Sequence, residues 1–210
     1  TQLLRPAVAN IDLLGIVLAP THPAPDLYLV DKLMINAENS EIEVMLLINK
    51  TDLAEDRQIK DIMDIYKPTE YPIVALSCKE GTGFEELHEL IKNKVVTLAG
   101  QSGVGKSSII NVLYPEKALE TGQLSHKIGR GKHTTRHTSL LILPSGGMLV
   151  DTPGFSTMNM GELMPEDLPY LYPDFSDYMY QCRFNGCMHD QEPGCKIKEA
   201  VAEGAISQGR

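Results

Sequence analysis

The sequence predicts an α/β protein, a mostly parallel sheet with helices on both faces, followed by a small metal-binding module. Three observations carry this prediction. Apolar runs of strand length alternate with amphipathic runs of helix length through the first half of the chain. A glycine-rich stretch, "GQSGVGKS" at 100–107, sits between one such strand and one such helix. Three Cys and one His crowd into residues 182–195, where the alternating pattern has stopped.

The elements follow in order. "IDLLGIVLAP" (11–20) reads as a buried strand and "LYLVDKLMINAEN" (27–39) as a helix. "EVMLLIN" (43–49) is a second strand, and "AEDRQIKDIMDIYK" (54–67) spaces Ile59, Ile62, Met63 and Tyr66 on one helical face. A strand at 71–77, a helix at 83–93 and a strand at 94–100 lead into the glycine-rich stretch. The runs at 139–144 and 146–154 form an antiparallel pair turning on Ser-Gly-Gly. Past residue 155 Pro, Tyr, Asp and Met dominate, so a boundary is expected near residue 158, dividing domains 1–158 and 159–210.

A length of 210 residues suits one α/β domain with an appendage. With 42% apolar and 22% charged residues the chain has an ordinary globular composition. No apolar run approaches the ~20 residues that cross a bilayer, and no signal-peptide pattern opens the chain. A formal charge of −9 argues against a general nucleic-acid coat, which needs clustered cations. One run departs from that balance: "HKIGRGKHTTRH" (126–137) holds Lys127, Arg130, Lys132 and Arg136 with no acid. The opening "TQLLRPAVAN" lacks Met and is expected to be a trimmed start.

"GQSGVGKS" fits the phosphate-loop pattern, and its place between strand and helix matters more than the match. Gly100, Gln101, Ser102, Gly103, Val104 and Gly105 would wrap a β-phosphate with backbone N–H groups, with Ser108 just inside the helix. Lys106 would reach the β- and γ-phosphates, and the Ser107 hydroxyl would bind Mg²⁺. A glycine-rich turn without a ligand needs neither the Lys nor the Ser.

"NKTD", Asn49, Lys50, Thr51 and Asp52, ends the strand at 43–49. The Asp52 carboxylate can accept from both N1–H and N2–H₂ of guanine, whereas adenine would leave it unpaired. Asn49 can reach N7 and brace the phosphate loop, while the Lys50 stem lies along the base. Taken alone, the tetrapeptide is equally well a polar strand-end turn. "SCKEG" supplies Ser77, Cys78 and Lys79, where a backbone N–H would meet guanine O6 and Cys78 stands for the usual Ala. "DTPG" would contribute Asp151, reaching Mg²⁺ through water, and Gly154 at the γ-phosphate. "HTTRH" (133–137) lies where a switch Thr, Thr134 or Thr135, completes the Mg²⁺ shell.

The guanine motif comes before the phosphate loop, the reverse of the usual arrangement, yet taken cyclically the order is correct. The sequence therefore describes a circularly permuted P-loop GTPase domain, cut after DTPG, its old ends joined near Lys92–Lys94. Such closure is inexpensive because domain termini usually lie close together.

"CRFNGCMHDQEPGC" gives Cys182, Cys187, His189 and Cys195 in the spacing C-x4-C-x-H-x5-C. Three thiolates and an imidazole suit a closed tetrahedral structural zinc site, with Gly186 and Gly194 permitting tight turns. A disulfide is a poor alternative with an odd number of Cys in the cluster. The segment carries little apolar material, so the metal should supply much of its stability. It follows DTPG directly, so movement there on γ-phosphate loss would pull on the module.

Together "NKTD", "GQSGVGKSS", "GRGKHTTRH" and "DTPGF" resemble the circularly permuted ribosome-small-subunit-dependent GTPase A family (RsgA/YjeQ). The resemblance spans nearly the whole chain. It implies a cytoplasmic GTPase that binds GTP or GDP with Mg²⁺ and acts, as a monomer away from membranes, on the small ribosomal subunit and its rRNA. The family's N-terminal OB-fold has no counterpart in these residues, and the family continues past "AVAEGAISQGR" into a further helix.

Phe155 stands where Ras-like enzymes place a water-orienting Gln, so unaided turnover should be slow and the resemblance implies stimulation by the subunit. His133 is a candidate catalytic group beside Lys106 and Thr135, equally readable as an exposed His in a basic loop. Thr135 is favoured over Thr134 because a Thr followed by Arg is usual in related GTPases lacking the Gln. The basic run could dock on rRNA in the GTP state. Three readings stand open: a subunit-maturation GTPase, a GTP-regulated binding module with negligible hydrolysis, and an ATP-using kinase, which Asp52 disfavours.

Overall fold

A computed structural model describes residues 10–115, 139–151 and 163–210. The strands are β1 (Leu13–Leu18), β2 (Glu43–Ile48), β3 (Ile73–Ala75), β4 (Val95–Ala99), β5 (Ser139–Ile142) and β6 (Met148–Asp151). They form one sheet in the order β3-β2-β1-β4-β6-β5, parallel throughout except for β5 at the edge. Every residue of β1 is buried, as expected of a strand with neighbours on both sides and helices on both faces.

Alternate strand residues feed two cores. Leu14, Ile16 and Leu18 of β1 join Leu46 and Ile48 of β2 beneath α1 (Leu27–Asn39) and α2 (Asp56–Tyr66). Leu13 and Val17 face the other way, with Met45, Leu47, Val96 and Leu98, beneath α3 (Phe84–Ile91) and α4 (Lys106–Leu113). α1 starts where the Asp26 carboxylate accepts from Leu29 N at 3.0 Å. α2 starts with a reciprocal capping box between Glu55 and Gln58. Of its apolar face, Ile62 and Tyr66 are buried while Ile59 and Met63 are partly so.

The strands are shorter than the apolar runs because their ends are diverted into loops. β3 stops at Ala75, after which Leu76 accepts from Thr51 N and Ser77 bridges to Thr82. Residues 92–94, the expected join of the old termini, carry the chain from α3 into β4, between β1 and β6. The connection therefore runs from the sheet's edge to its middle.

The expected boundary at 158 lies outside the described residues. Beyond it, a 3-10 helix (Pro165–Leu171), a second (Pro173–Phe175), α5 (Ser176–Met179) and α6 (Lys196–Ala202) form the C-terminal module. Its core is small: Cys187, Cys195, Ile197, Ala200 and Ile206, with Phe175, Tyr178 and Met179 packed against them.

The module rests on α1 through a contact that nothing in the motif pattern announced. The Arg210 side chain is 1% exposed, and its Nη1 donates to Asp31 Oδ1 at 2.6 Å. Its Nη2 and Nε grip both oxygens of Asp174 at 2.8 and 3.1 Å. The guanidinium also lies 4.8 Å from the Tyr172 ring centre and 5.5 Å from that of Tyr66. Burial alone would lower the Arg210 pKa, but the hydrogen bonds and charges of Asp174 and Asp31 outweigh it and hold the cation. Burial raises the Asp31 pKa against the opposing pull of Arg210.

Candidate functional site

The five parallel strands point their carboxyl ends the same way, and order reverses between β1, whose chain turns to β2, and β4, which pairs on its other side. Ligands of open α/β sheets bind at such a crevice. The loops after β1, β2, β3 and β4 all open there.

The loop after β4 is the phosphate loop. Gly100 has φ +133°, and a Cβ there would meet Val17 O at 2.1 Å. Gly105 has φ +99°, and a Cβ would meet Asn49 Nδ2 at 2.2 Å. Only glycine allows the loop to lie this close to its neighbours. α4 begins immediately after, with Ser107 and Ser108 exposed on its first turn, directing backbone N–H groups toward the loop. Lys106 Nζ donates to its own loop, to Gly100 O at 2.7 Å and Gln101 O at 2.8 Å. Burial pushes its pKa below the usual lysine range. The buried Oε1 of Gln101 has no partner among the described residues.

The loop after β2 reaches the phosphate loop directly. Asn49, 1% exposed, donates from Nδ2 to Val104 O at 2.8 Å. Lys50 adopts the left-handed conformation, φ 65°, at some strain for a long side chain. Its Nζ donates to Gly103 O at 2.7 Å and to His22 O, in the loop after β1, at 2.6 Å. Three loops are thus fastened by two side chains. Thr51 N bonds to Leu76 O at 3.3 Å, which brings in the loop after β3.

That fourth loop fixes the Asp52 carboxylate of the loop after β2. Ser77 Oγ donates to Asp52 Oδ1 at 2.7 Å and accepts from Glu80 N at 3.2 Å. Lys79 Nζ lies 3.7 Å from Asp52 Oδ2. The Ser77 hydrogen bond, ahead of the Lys79 charge, lowers the Asp52 pKa, so the group remains an acceptor. The Cys78 thiol donates to Asn49 Oδ1 at 3.4 Å. The sequence reading used only the backbone of this residue. The thiol contact was missed because nothing in a single chain distinguishes a small filler from a donor.

Asp151 closes β6 at the same end of the sheet. Its side chain, Gly154, Phe155, His133, Thr134, Thr135 and the basic run 126–137 lie outside the described residues.

The second cluster is in the C-terminal module. One ligand atom from each of Cys182, Cys187, His189 and Cys195 lies within 4.8 Å of all the others. His189 Nδ1 stands 3.7 Å from Cys182 Sγ and 3.4 Å from Cys195 Sγ. Ligands about 2.0–2.3 Å from a tetrahedral ion are separated by roughly 3.3–3.8 Å, so these contacts fit a bound metal. Gly186 and Gly194 take φ of 73° and 71°, as the turns between ligands require. Lys196 N donates to Cys182 Sγ at 3.3 Å, an outer hydrogen bond that orients the sulfur. Burial pushes the Cys187 thiol up to about 11 and lowers the His189 pKa, a shift toward the neutral imidazole that ligation uses.

Comparison with known proteins agrees with this geometry. A family model described as RsgA GTPase matches residues 1–161. "Small ribosomal subunit biogenesis GTPase RsgA" of Ruminiclostridium cellulolyticum is 43% identical over 210 residues, covering 100% of this chain and 68% of the relative. The protein of the same description from Clostridium kluyveri is 40% identical, covering 100% and 73%. Among solved structures, YjeQ from Thermotoga maritima matches with a TM-score of 0.78 and 38% identity over 96% of this chain and 68% of its own. YloQ, described as a circularly permuted GTPase, gives 0.76 and 31%, over 95% and 64%. On these matches, and with its guanine-type and phosphate loops meeting in inverted chain order, the chain belongs to the RsgA GTPase family.

Proposed function

We propose that this chain binds and hydrolyses GTP as a maturation factor for the small ribosomal subunit, with subunit contact stimulating turnover. The observation that carries the reading is the Asn49–Val104 hydrogen bond, 2.8 Å, which joins a guanine-type loop to a phosphate loop. Asp52, oriented by Ser77, takes the N1–H and N2–H₂ edge, while the backbone around Cys78 meets O6. Asn49 braces the phosphate loop beside N7, and Lys50 and Thr51 hold the base-side loops together. Lys106 exchanges Gly100 O and Gln101 O for β- and γ-phosphate oxygens, stabilising charge that builds on the transferred group.

Ser107, Thr135 or Thr134, and Asp151 through water would hold Mg²⁺, which would supply charge neutralisation at the phosphates. Cys182, Cys187, His189 and Cys195 would hold Zn²⁺ in a structural role. His133 is assigned to the γ-phosphate side with Thr135. The domains are taken as 1–158 and 159–210, and the setting as cytoplasmic, with rRNA contacted by the basic run at 126–137.

Phosphate release from GTP is measured while purified small subunits are titrated in, with ATP as competitor. Stimulated, ATP-insensitive release is expected. The second reading, a GTP-regulated binding module, is favoured by Phe155 and predicts nucleotide-dependent subunit binding with no stimulated release. An ATP preference overturns both.

A further inference from the structure

Residues 163–182 contain no Lys, Arg or His, yet hold Glu166, Asp167, Asp174 and Asp177 with five aromatic residues. Asp174 is buried on Arg210, but Glu166, Asp167 and Asp177 are exposed. The local helices sort these groups. In the 3-10 helix Pro165–Leu171, residues three apart eclipse, so Met164, Asp167 and Tyr170 share a face; Asp167 N bonds to Met164 O at 3.0 Å. One turn of α5 likewise sets Asp177 and Tyr180 on one side. The two stripes meet where the Tyr170 and Tyr180 rings lie 6.5 Å apart, tilted by 49°. Met164, Tyr170 and Tyr180 are 57%, 60% and 77% exposed.

An exposed tyrosine pair flanked by carboxylates, with no cation in the segment, repels nucleic-acid phosphate and attracts cations. Tyrosine faces bind guanidinium groups, and in this same module Arg210 lies against Tyr172 and Arg183 against Phe184. We infer that the Met164–Asp167–Tyr170–Tyr180–Asp177 face docks an arginine-rich extended polypeptide segment of a protein partner. Arginine planes stack on the tyrosines while their N–H groups pair with Asp167 and Asp177. The surface goes beyond the nucleotide reading and does not depend on it.

The probe is a fluorescein-labelled ten-residue peptide of alternating Arg and Gly, added to the metal-loaded chain and followed by fluorescence anisotropy at several salt concentrations. Expected are saturable binding, a two- to fivefold loss for each of Tyr170→Ala and Tyr180→Ala, and a flatter salt dependence for Asp167→Asn with Asp177→Asn. Glu85→Gln with Glu86→Gln on α3 removes the same charge elsewhere and should leave affinity unchanged. Metal content and circular dichroism identify variants that misfold, and tyrosine resonance shifts in the unmodified chain report the site independently. Absence of binding, equal effects from the α3 control, or unaffected tyrosine resonances overturn the proposal. So do tighter binding of an oligouridylate to the same tyrosines, and self-association of the chain abolished by Tyr180→Ala.

Discussion

The nucleotide end of the sheet and the C-terminal module solve the same problem, holding polar groups in fixed positions, by opposite means. At the nucleotide end, four loops spring from parallel strands already aligned by two cores, and single hydrogen bonds suffice to bring them together. Among the described residues of the module there is no strand and few apolar side chains, so distant positions are fastened by a cluster of three Cys and one His and by one buried guanidinium. Where secondary structure sets the geometry, side chains refine it; where it does not, side chains supply it.

Four perturbations separate the two regions. Chelating the proposed zinc should have the largest effect, since a structural zinc contributes on the order of 10 kcal/mol to a small module. Hydrogen exchange is expected to lose protection throughout 163–210 while β1, β2 and β4 stay protected; collapse of both regions together would erase the distinction. Asp52→Asn comes next, removing roughly 10⁴-fold of GTP preference over xanthosine triphosphate, read by competition binding. If the variant still prefers GTP, Asp52 does not face the base.

Arg210→Ala leaves Asp174 buried without its partner and should cost about 3–5 kcal/mol in denaturant unfolding of the module. Arg210→Lys keeps the charge but loses the two-pronged grip on Asp174, and is expected to fall between wild type and Ala. The smallest effect belongs to Cys78→Ala, which removes the thiol donor from Asn49 and should weaken GDP binding by about 1 kcal/mol. Cys78→Ser restores a donor and is expected to recover affinity.

The legibility of the sequence followed the same divide. Asn49, Asp52 and Lys106 could be placed at one end of the sheet in advance because each follows a strand, and strands announce themselves by apolar runs. The antiparallel pair β5–β6 and all four flanking helices were readable for that reason too. Ser77 was named only for its backbone, though its hydroxyl orients Asp52. Arg210 was invisible: its partners lie 179 and 36 residues away, and a charged residue gives no periodic sign that it will be buried. The sequence reading made DTPG the path from nucleotide to module. Arg210 on α1 adds a second attachment, on the flank of the sheet covered by α1 and α2.

The join at residues 92–94 also has a consequence for biosynthesis. β1 and β2 are both translated early, but β1's second partner, β4, begins only at Val95, after Leu13 has long emerged. Until then a fully apolar strand presents an open edge, the kind of surface that pairs with stray chains. An unpermuted G-domain would translate its glycine-rich loop first; here the strand that carries NKTD precedes it, and β1 stays half-shielded until β4 completes the sheet.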